Sequence, residues 1–317
     1  MQMELFSRCK RREQDKPGDD IAIVVPGLVW AVLDGATDPL GGVYEGESSG
    51  RLAARTAGQA LVRLLQAEGP EVSTARIGEA LSGAVAEAAT RVGAVHPPST
   101  TLAAAIPVAA GMRLVLIGDS GIRVDGDALY QNDKLIDDVS AAARIAVRAI
   151  LQPRVADTDS LEALCRQTSF QGLDAAVADG VLSDTEAASV LAGVEARFAP
   201  TLGDHAGDIG WFLKGGIRVQ PRFANVEGHP FGFASINAHP PRGFGITDMV
   251  VTTCHSLEIF SDGYYGLPNG THVTDWETRF DEIEAEDPHK IHAFPEVKGS
   301  SSAEFSDDRT VLCLHAL

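Results

Sequence analysis

Cysteine is scarce in this chain, with only Cys9, Cys165, Cys254 and Cys313 in 317 residues and no C-x-x-C pair. That spacing excludes a thiolate zinc site and a small disulfide framework, and it suits a reducing cytoplasm. Basic residues are also few, 26 against 44 acidic, for a net charge of -18. Such a chain repels polyanions, which argues against nucleic acid and anionic membranes as partners. Long apolar runs are missing too. The longest, "IAIVVPGLVWAVLDGA", is broken by Pro26 and Gly27 and is too short to span a membrane. The opening "MQMELFSRCKRR" puts its basic residues after the apolar ones, the reverse of a signal peptide. No internal repeat or low-complexity tract occurs. With 44% hydrophobic and 22% charged residues, the composition is that of a folded globular protein rather than a disordered one. The expectation is a cytoplasmic protein long enough to bury a substantial core.

The first hundred residues alternate strand and helix patterns. "IAIVV" and "LVWAVL" are short apolar runs joined by a Pro-Gly turn. Leu52, Ala53, Ala57, Ala60, Leu61, Leu64 and Leu65 then mark one helical stripe, and Ile77, Leu81, Ala84, Val85, Ala88 and Val92 a second. "TTLAAAIPV" and "MRLVLIG" read as paired strands around Gly111. From about Asp137 to Phe198 the pattern is helical, with "DDVSAAARIAVRAILQ" and "SDTEAASVLAGVEARF" as two amphipathic helices. The second opens on a capping box, Ser183 with Glu186. Residues 203–245 are rich in Gly, Pro and His and read as loops with short strands, within which Trp211 and Phe212 are expected in the core, with a place on a rim as the alternative. "SLEIFSDGYYGLP" and "RTVLCLHAL" return to strands. Together these patterns predict a single α+β domain over 1–317, with a helical insertion or flap over 137–198.

Acids stand where these strands begin and end. Asp34 ends "LVWAVLDG", Asp119 ends "RLVLIGDS" and Asp262 ends "LEIFSDG", while Asp307 and Asp308 precede "TVLCL". In one sandwich their carboxylates gather at one edge, where they repel unless cations neutralise them. Hard oxygen ligands at that density suit Mg²⁺ or Mn²⁺ rather than zinc. A glycine directly after the acid lets a metal approach the backbone carbonyl.

The order of these motifs resembles that of the metal-dependent type 2C protein Ser/Thr phosphatases, including their bacterial members. "GDDIAIV" looks like that family's Asn-Glu-Asp-Ala segment, "AVLDGATDPLGG" its Asp-Gly motif and "STTLAAAI" its Gly-Thr-Thr strand. "IGDSGIRV" is similar to its Gly-Asp-Ser-Arg motif, "FSDGYYGL" to Ser-Asp-Gly, and "DDRTVLCL" to the terminal Asp-Asn-x-Thr. The resemblance implies a four-layer α-β-β-α sandwich, two antiparallel sheets flanked by helices, with a two-metal site between the sheets. It also implies hydrolysis of phosphoserine and phosphothreonine on protein substrates in cytoplasmic signalling. By position, Asp34 would bridge two Mn²⁺ or Mg²⁺ ions and the Gly35 carbonyl would bind one of them. Asp262 and Asp307 would complete the other, and Asp34, Asp262 and Asp307 would form the catalytic set. Asp19 stands where the family has its Glu ligand, Asp20 supplies the adjacent acid, and Asp119 would belong to a weaker third metal position.

The chain also departs from that pattern. The family's Gly-Gly pair is displaced to Gly41 and Gly42, Gly121 replaces an Arg, Gly266 stands where another Asp is common, and Asp308 replaces an Asn. Asp15 occupies the place of the phosphate-binding Arg, which leaves Arg11, Arg12 or Lys16 to reach in. A pseudophosphatase, a binding or regulatory module on the same fold, is therefore the competing expectation. "GDSG" also surrounds the nucleophile of chymotrypsin-like proteases, but only His96 precedes Ser120 in the chain. Substrate identity and oligomeric state stay open.

Overall fold

Val29 to Leu33 is buried at every position, so the run needs apolar partners on both faces. The computed structural model, which describes residues 1–13, 17–38 and 40–317, shows why. Asp15 and Lys16 lie outside the described residues. In chain order the strands are β1 (Gln2–Arg8), β2 (Ile21–Val25), β3 (Val29–Leu33), β4 (Val43–Tyr44), β5 (Glu47–Ser48), β6 (Leu102–Val108), β7 (Gly111–Ile117), β8 (Gly121–Val124), β9 (Ala128–Tyr130), β10 (Ile246–Val251), β11 (Ser256–Phe260) and β12 (Arg309–His315). The helices are α1 (Ser49–Glu68), α2 (Thr74–Val92), α3 (Leu135–Leu151), α4 (Thr158–Gln171), α5 (Leu173–Ala178), α6 (Asp184–Leu202), α7 (Gly207–Gly215) and α8 (Val273–Glu286).

Two five-stranded antiparallel sheets result, ordered β10-β7-β6-β3-β2 and β1-β12-β11-β8-β9. Because side chains alternate along a strand, Val29, Ala31 and Leu33 face α1 and α2, while Trp30 and Val32 face the second sheet. Ile122, Ile259, Leu312 and Leu314 answer them across the interface. On the far side Phe260, Val311 and Cys313 pack against Trp276 and Phe280 of α8. The layers are thus helix, sheet, sheet, helix. The turn between β2 and β3 is Val25-Pro26-Gly27-Leu28, closed by Leu28 N–H on the Val25 carbonyl at 2.9 Å. Gly27 has φ +77°, the left-handed value that a type II turn requires at its third residue.

The helical segment is longer than the sequence pattern predicts. Both expected helices form, as α3 and α6, and the Ser183–Glu186 capping box is present. Between and after them stand α4, α5 and α7, followed by a 3₁₀ turn over Ile217–Phe223. The expected short strands over 203–245 do not appear among the described residues: β10 begins at Ile246. Phe212 is buried as expected, but Trp211 is 39% exposed, resting on Phe223 beneath the Arg222 guanidinium. The helices share a core of their own, with Val139, Leu161, Val190, Phe198 and Phe212 among its members.

That segment is also tied to the loop preceding β12. Glu162 is 1% exposed and accepts bonds from Arg144 at 3.0 Å, Arg148 at 3.2 Å and the Gly299 N–H at 2.6 Å. Arg144 in turn donates to the carbonyls of His289, Lys290 and Glu296. Among the described residues no helix is long and apolar enough to cross a membrane.

Candidate metal centre

The antiparallel register assembles the site. Where neighbouring strands run oppositely, the end of one lies beside the start of the next. Leu33 at the end of β3 pairs with Ile21 at the start of β2, which brings Asp34 beside Asp19 and Asp20. Phe260 at the end of β11 pairs with both Val311 and Gly121, which brings Asp262 beside Asp307 and Asp119. Acids that follow some strands and precede others therefore meet at one edge of the sandwich.

Neighbouring loops hold each acid. The Asp34 carbonyl accepts from Thr100 Oγ1 at 2.6 Å and from the Thr101 N–H at 2.9 Å, while its own N–H donates to Thr101 Oγ1 at 3.2 Å. The Thr-Thr pair thus clamps the Asp34 backbone. Ser120, the serine of "GDSG", is fully buried with its hydroxyl 2.6 Å from that of Thr101, a structural bond rather than a nucleophile's. The glycines after Asp34 and Asp262 have a packing cause beyond the one expected. A Cβ on Gly35 would stand 2.4 Å from the Gly50 carbonyl carbon, and one on Gly263 would stand 1.9 Å from the Asp308 carbonyl oxygen. Gly121 is explained too, because a Cβ there would meet the Phe260 ring at 2.3 Å, where an Arg cannot fit.

Asp34 and Asp262 lie within hydrogen-bonding reach of each other. Burial, then the charge of Asp20, pushes the Asp34 carboxyl well above the usual range; burial, then Asp34, does the same to Asp262. Asp20 is 4% exposed; one oxygen accepts from Ser261 Oγ at 2.8 Å and the other is buried without a partner. Burial, reinforced by Asp308, lifts its carboxyl to about 8. Asp307 behaves oppositely: burial would raise it, but Lys298 and Lys10 hold it at about 2. Of the adjacent acids, Asp20 is the one pressed against Asp34, whereas Asp19 accepts a bond from Ser48.

Among the described residues three lysines enter this edge, and none stands out by its motif. Lys298 pairs with Asp307, and Lys10 lies 3.8 Å from the same carboxylate and 3.1 Å from Thr37 Oγ1. Lys134 stands 3.3 Å from Asp119 and 2.8 Å from Asp137, so the acid expected at a third metal already has a cation beside it. Arg11 pairs with Glu304 and Arg12 stacks on Phe305. Among the described residues of the basic opening segment, it is Lys10 that the structure brings to the acids, and Lys16 lies outside them.

Asp308 has a different task. Its oxygens accept the N–H groups of Lys10 at 2.6 Å and Asp19 at 2.7 Å, stapling the end of β1 to the acidic loop. Two donors call for an acceptor-only side chain, which accounts for Asp in place of Asn. Asp308→Asn would turn an amide NH₂ toward one of them. Its expected cost is about 1–3 kcal/mol, read as a lowered urea midpoint at unchanged slope.

Beside the acids opens a cavity of about 330 Å³. Asp34, Asp119, Asp262, Asp307, Lys134 and Lys298 line its floor. Phe170 of α4 and Ile217, Arg218, Gln220 and Pro221 of the 3₁₀ turn form a wall, so the helical segment borders the site.

No family model and no curated protein matches the chain. Solved structures do resemble it. The PPM Ser-Thr phosphatase MsPP from Mycobacterium smegmatis, in complex with cacodylate, is 16% identical, with 100% of this chain and 99% of that one covered at a TM-score of 0.44. The serine/threonine phosphatase Stp1 from Staphylococcus aureus is 12% identical, covering 100% and 94% at 0.47. The Mycobacterium tuberculosis serine/threonine phosphatase PstP/Ppp is 14% identical, covering 98% and 97% at 0.43. Likeness at this level adds no weight to any residue's role. The chemistry rests on this chain's own side chains.

Those side chains fit a divalent metal. Asp20, Asp34 and Asp262 form no ion pair among the described residues, although they are packed together and desolvated. The buried, unpartnered oxygen of Asp20 adds a free donor to an all-oxygen set.

Proposed function

We propose that this protein is a metal-dependent phosphatase of the type 2C kind, acting on phosphoserine and phosphothreonine of cytoplasmic protein substrates. The observation that carries this is the contact between Asp34 and Asp262, buried beside Asp20, none of the three in an ion pair among the described residues. Asp34, Asp262 and Asp307 would hold two Mn²⁺ or Mg²⁺ ions, with the Gly35 carbonyl and Asp20 completing the set and Asp19 behind it. Bound there, the ions supply the Lewis-acid charge that activates water for in-line attack at phosphorus. Thr100 and Thr101 keep the Asp34 backbone from shifting under that charge. Lys10 takes the part of the absent Arg, offering an ammonium to phosphate oxygens from beside Thr37. Lys298 keeps Asp307 ionised, and therefore a ligand, before metal arrives.

A second reading, a binding module without turnover, is favoured by one observation. Lys298 and Lys134 already neutralise Asp307 and Asp119, so part of the edge is stable without metal. An assay separates the two. Under the first, hydrolysis of an aryl phosphate and of phosphoserine peptides requires Mn²⁺ or Mg²⁺, stops with EDTA and persists in Cys254→Ser. Metal uptake without turnover would favour the binding module, and failure to take up metal would overturn the first reading.

A further inference from the structure

At the other end of β12, roughly 20 Å along the strand from the acidic edge, three ligand-type side chains meet from three separate elements. They are Glu4 of β1, His315 of β12 and His272 at the start of α8, with ligand atoms all within 4.8 Å of one another. The register explains the meeting. Glu4 lies opposite Cys313 and Gln2 opposite His315, so Glu4 and His315 are diagonal neighbours on the face that packs against α8. Glu4 accepts from the Val273 N–H at 2.9 Å through one oxygen and lies 2.8 Å from His272 Nδ1 through the other. The His272 and His315 rings stack at 4.5 Å between centroids.

One atom here lacks a partner. His315 Nε2 is buried and makes no hydrogen bond. An imidazole nitrogen left so costs about 1–3 kcal/mol unless something meets it. The side chains that meet His315 in this cluster are a carboxylate and a second imidazole, both of which bind metal, and the side chain of His272 is 51% exposed and able to turn.

We propose that Glu4, His272 and His315 form a zinc site, separate from the acidic edge, that clamps β1, β12 and the start of α8 together. Two imidazoles and one carboxylate select Zn²⁺, as the all-oxygen edge selects Mg²⁺ or Mn²⁺, and they leave a fourth position to water. Ligation needs both imidazoles neutral, so binding releases any proton held on His272 and weakens as the pH falls.

A second cluster, His205, Asp208 and His229, shows what the proposal requires. There the Phe231 N–H donates to His229 Nδ1 at 3.0 Å, so the proton sits on Nε2 and points at Asp208, 3.0 Å away. That nitrogen has no lone pair for a metal.

Equilibrium dialysis of the full chain against Zn²⁺ tests the site, with Asp34→Asn as the background that disables the acidic edge. One Zn²⁺ is expected to remain bound in Asp34→Asn, and Co²⁺ in its place should give the visible absorption of a histidine-ligated ion. Glu4→Gln and His315→Gln should each weaken binding by more than about tenfold, since even residues that only support a ligand contribute about that much. Both should keep metal-dependent hydrolysis of the aryl phosphate, and His229→Gln should leave Zn²⁺ binding unchanged. Equal Zn²⁺ affinity in Glu4→Gln and the unaltered protein would overturn the proposal, as would loss of all Zn²⁺ in Asp34→Asn alone. Glu4 is only partly buried, so its variant decides the matter even if His315→Gln fails to fold.

Discussion

Replacing Asp34 by Asn will lower kcat for an aryl phosphate by a hundredfold or more, on the order expected when a ligand shared between two ions loses its charge. The same change will not lower the stability of the metal-free protein. Asp34 and Asp262 repel each other in a desolvated pocket, and each is pushed toward its neutral form. An amide at residue 34 removes half of that conflict, so the metal-free Tm should hold or rise. The gain in Tm on adding Mn²⁺ should disappear, because a ligand stabilises only in proportion to its affinity for the folded state. Activity lost together with metal-free stability would mean that Asp34 is a structural residue. Activity retained would remove the acidic edge from the chemistry altogether. Function and stability pull in opposite directions here, as they do where charges are gathered for catalysis.

Glu162→Ala is expected to be the most destabilising single change outside the core, costing about 3–5 kcal/mol. It would leave Arg144 and Arg148, both nearly inaccessible to solvent, without the carboxylate that neutralises them. Burial already works against the Arg144 charge and lowers its pKa, with Glu162 the leading opposing influence. Urea unfolding measures the loss, and a cost below about 1 kcal/mol would place the pair among weakly coupled surface bridges. The result bears on the flap. Arg144 bonds the carbonyls of the 289–299 loop, and that loop carries Lys298 to Asp307. We infer that the helical segment is a fixed wall rather than a freely moving lid. Amides of α3 and α4 should then exchange with solvent no faster than those of the sheets.

The inner strands of the sandwich were legible in the sequence because β3, β6, β7, β11 and β12 are buried on both faces and read as apolar runs. The half-exposed β1 and β10 were not. The acids were legible because they punctuate those runs, and antiparallel pairing alone gathers such residues at one edge. What stayed hidden depends on distant partners. Nothing around Lys10, Lys134 or Lys298 distinguishes them from surface lysines until the fold brings Asp119 and Asp307 to them. Helix α4 escaped because its inward stripe is Leu161, Glu162, Cys165 and Thr168, half of it polar. Glu162 belongs inside only because Arg144 and Arg148 of α3 are there to receive it. Helix α7 escaped because glycine occupies three of its nine positions, yet Ile209, Phe212 and Leu213 bury it. The Trp211 assignment failed for a related reason: Ile209, Phe212 and Leu213 share the inward face at helical spacing, and Trp211, two positions after Ile209, turns away from it.

The order of strands across the second sheet has a consequence for biosynthesis. β12 lies between β1 and β11, yet it follows all the other strands in the chain. While a ribosome is still making residues before Arg309, β1 has no partner in its sheet and β11 has one open edge. Such edges invite pairing with other nascent chains, and contacts spanning nearly the whole length of a protein form slowly. Asp307 and Lys298 emerge with or just ahead of the strand that closes this gap. A chain stalled or cleaved before that point would carry Asp34 and Asp262 but lack both the sheet that holds them together and the third acid beside them. The acidic edge is thereby left incomplete until the fold is closed.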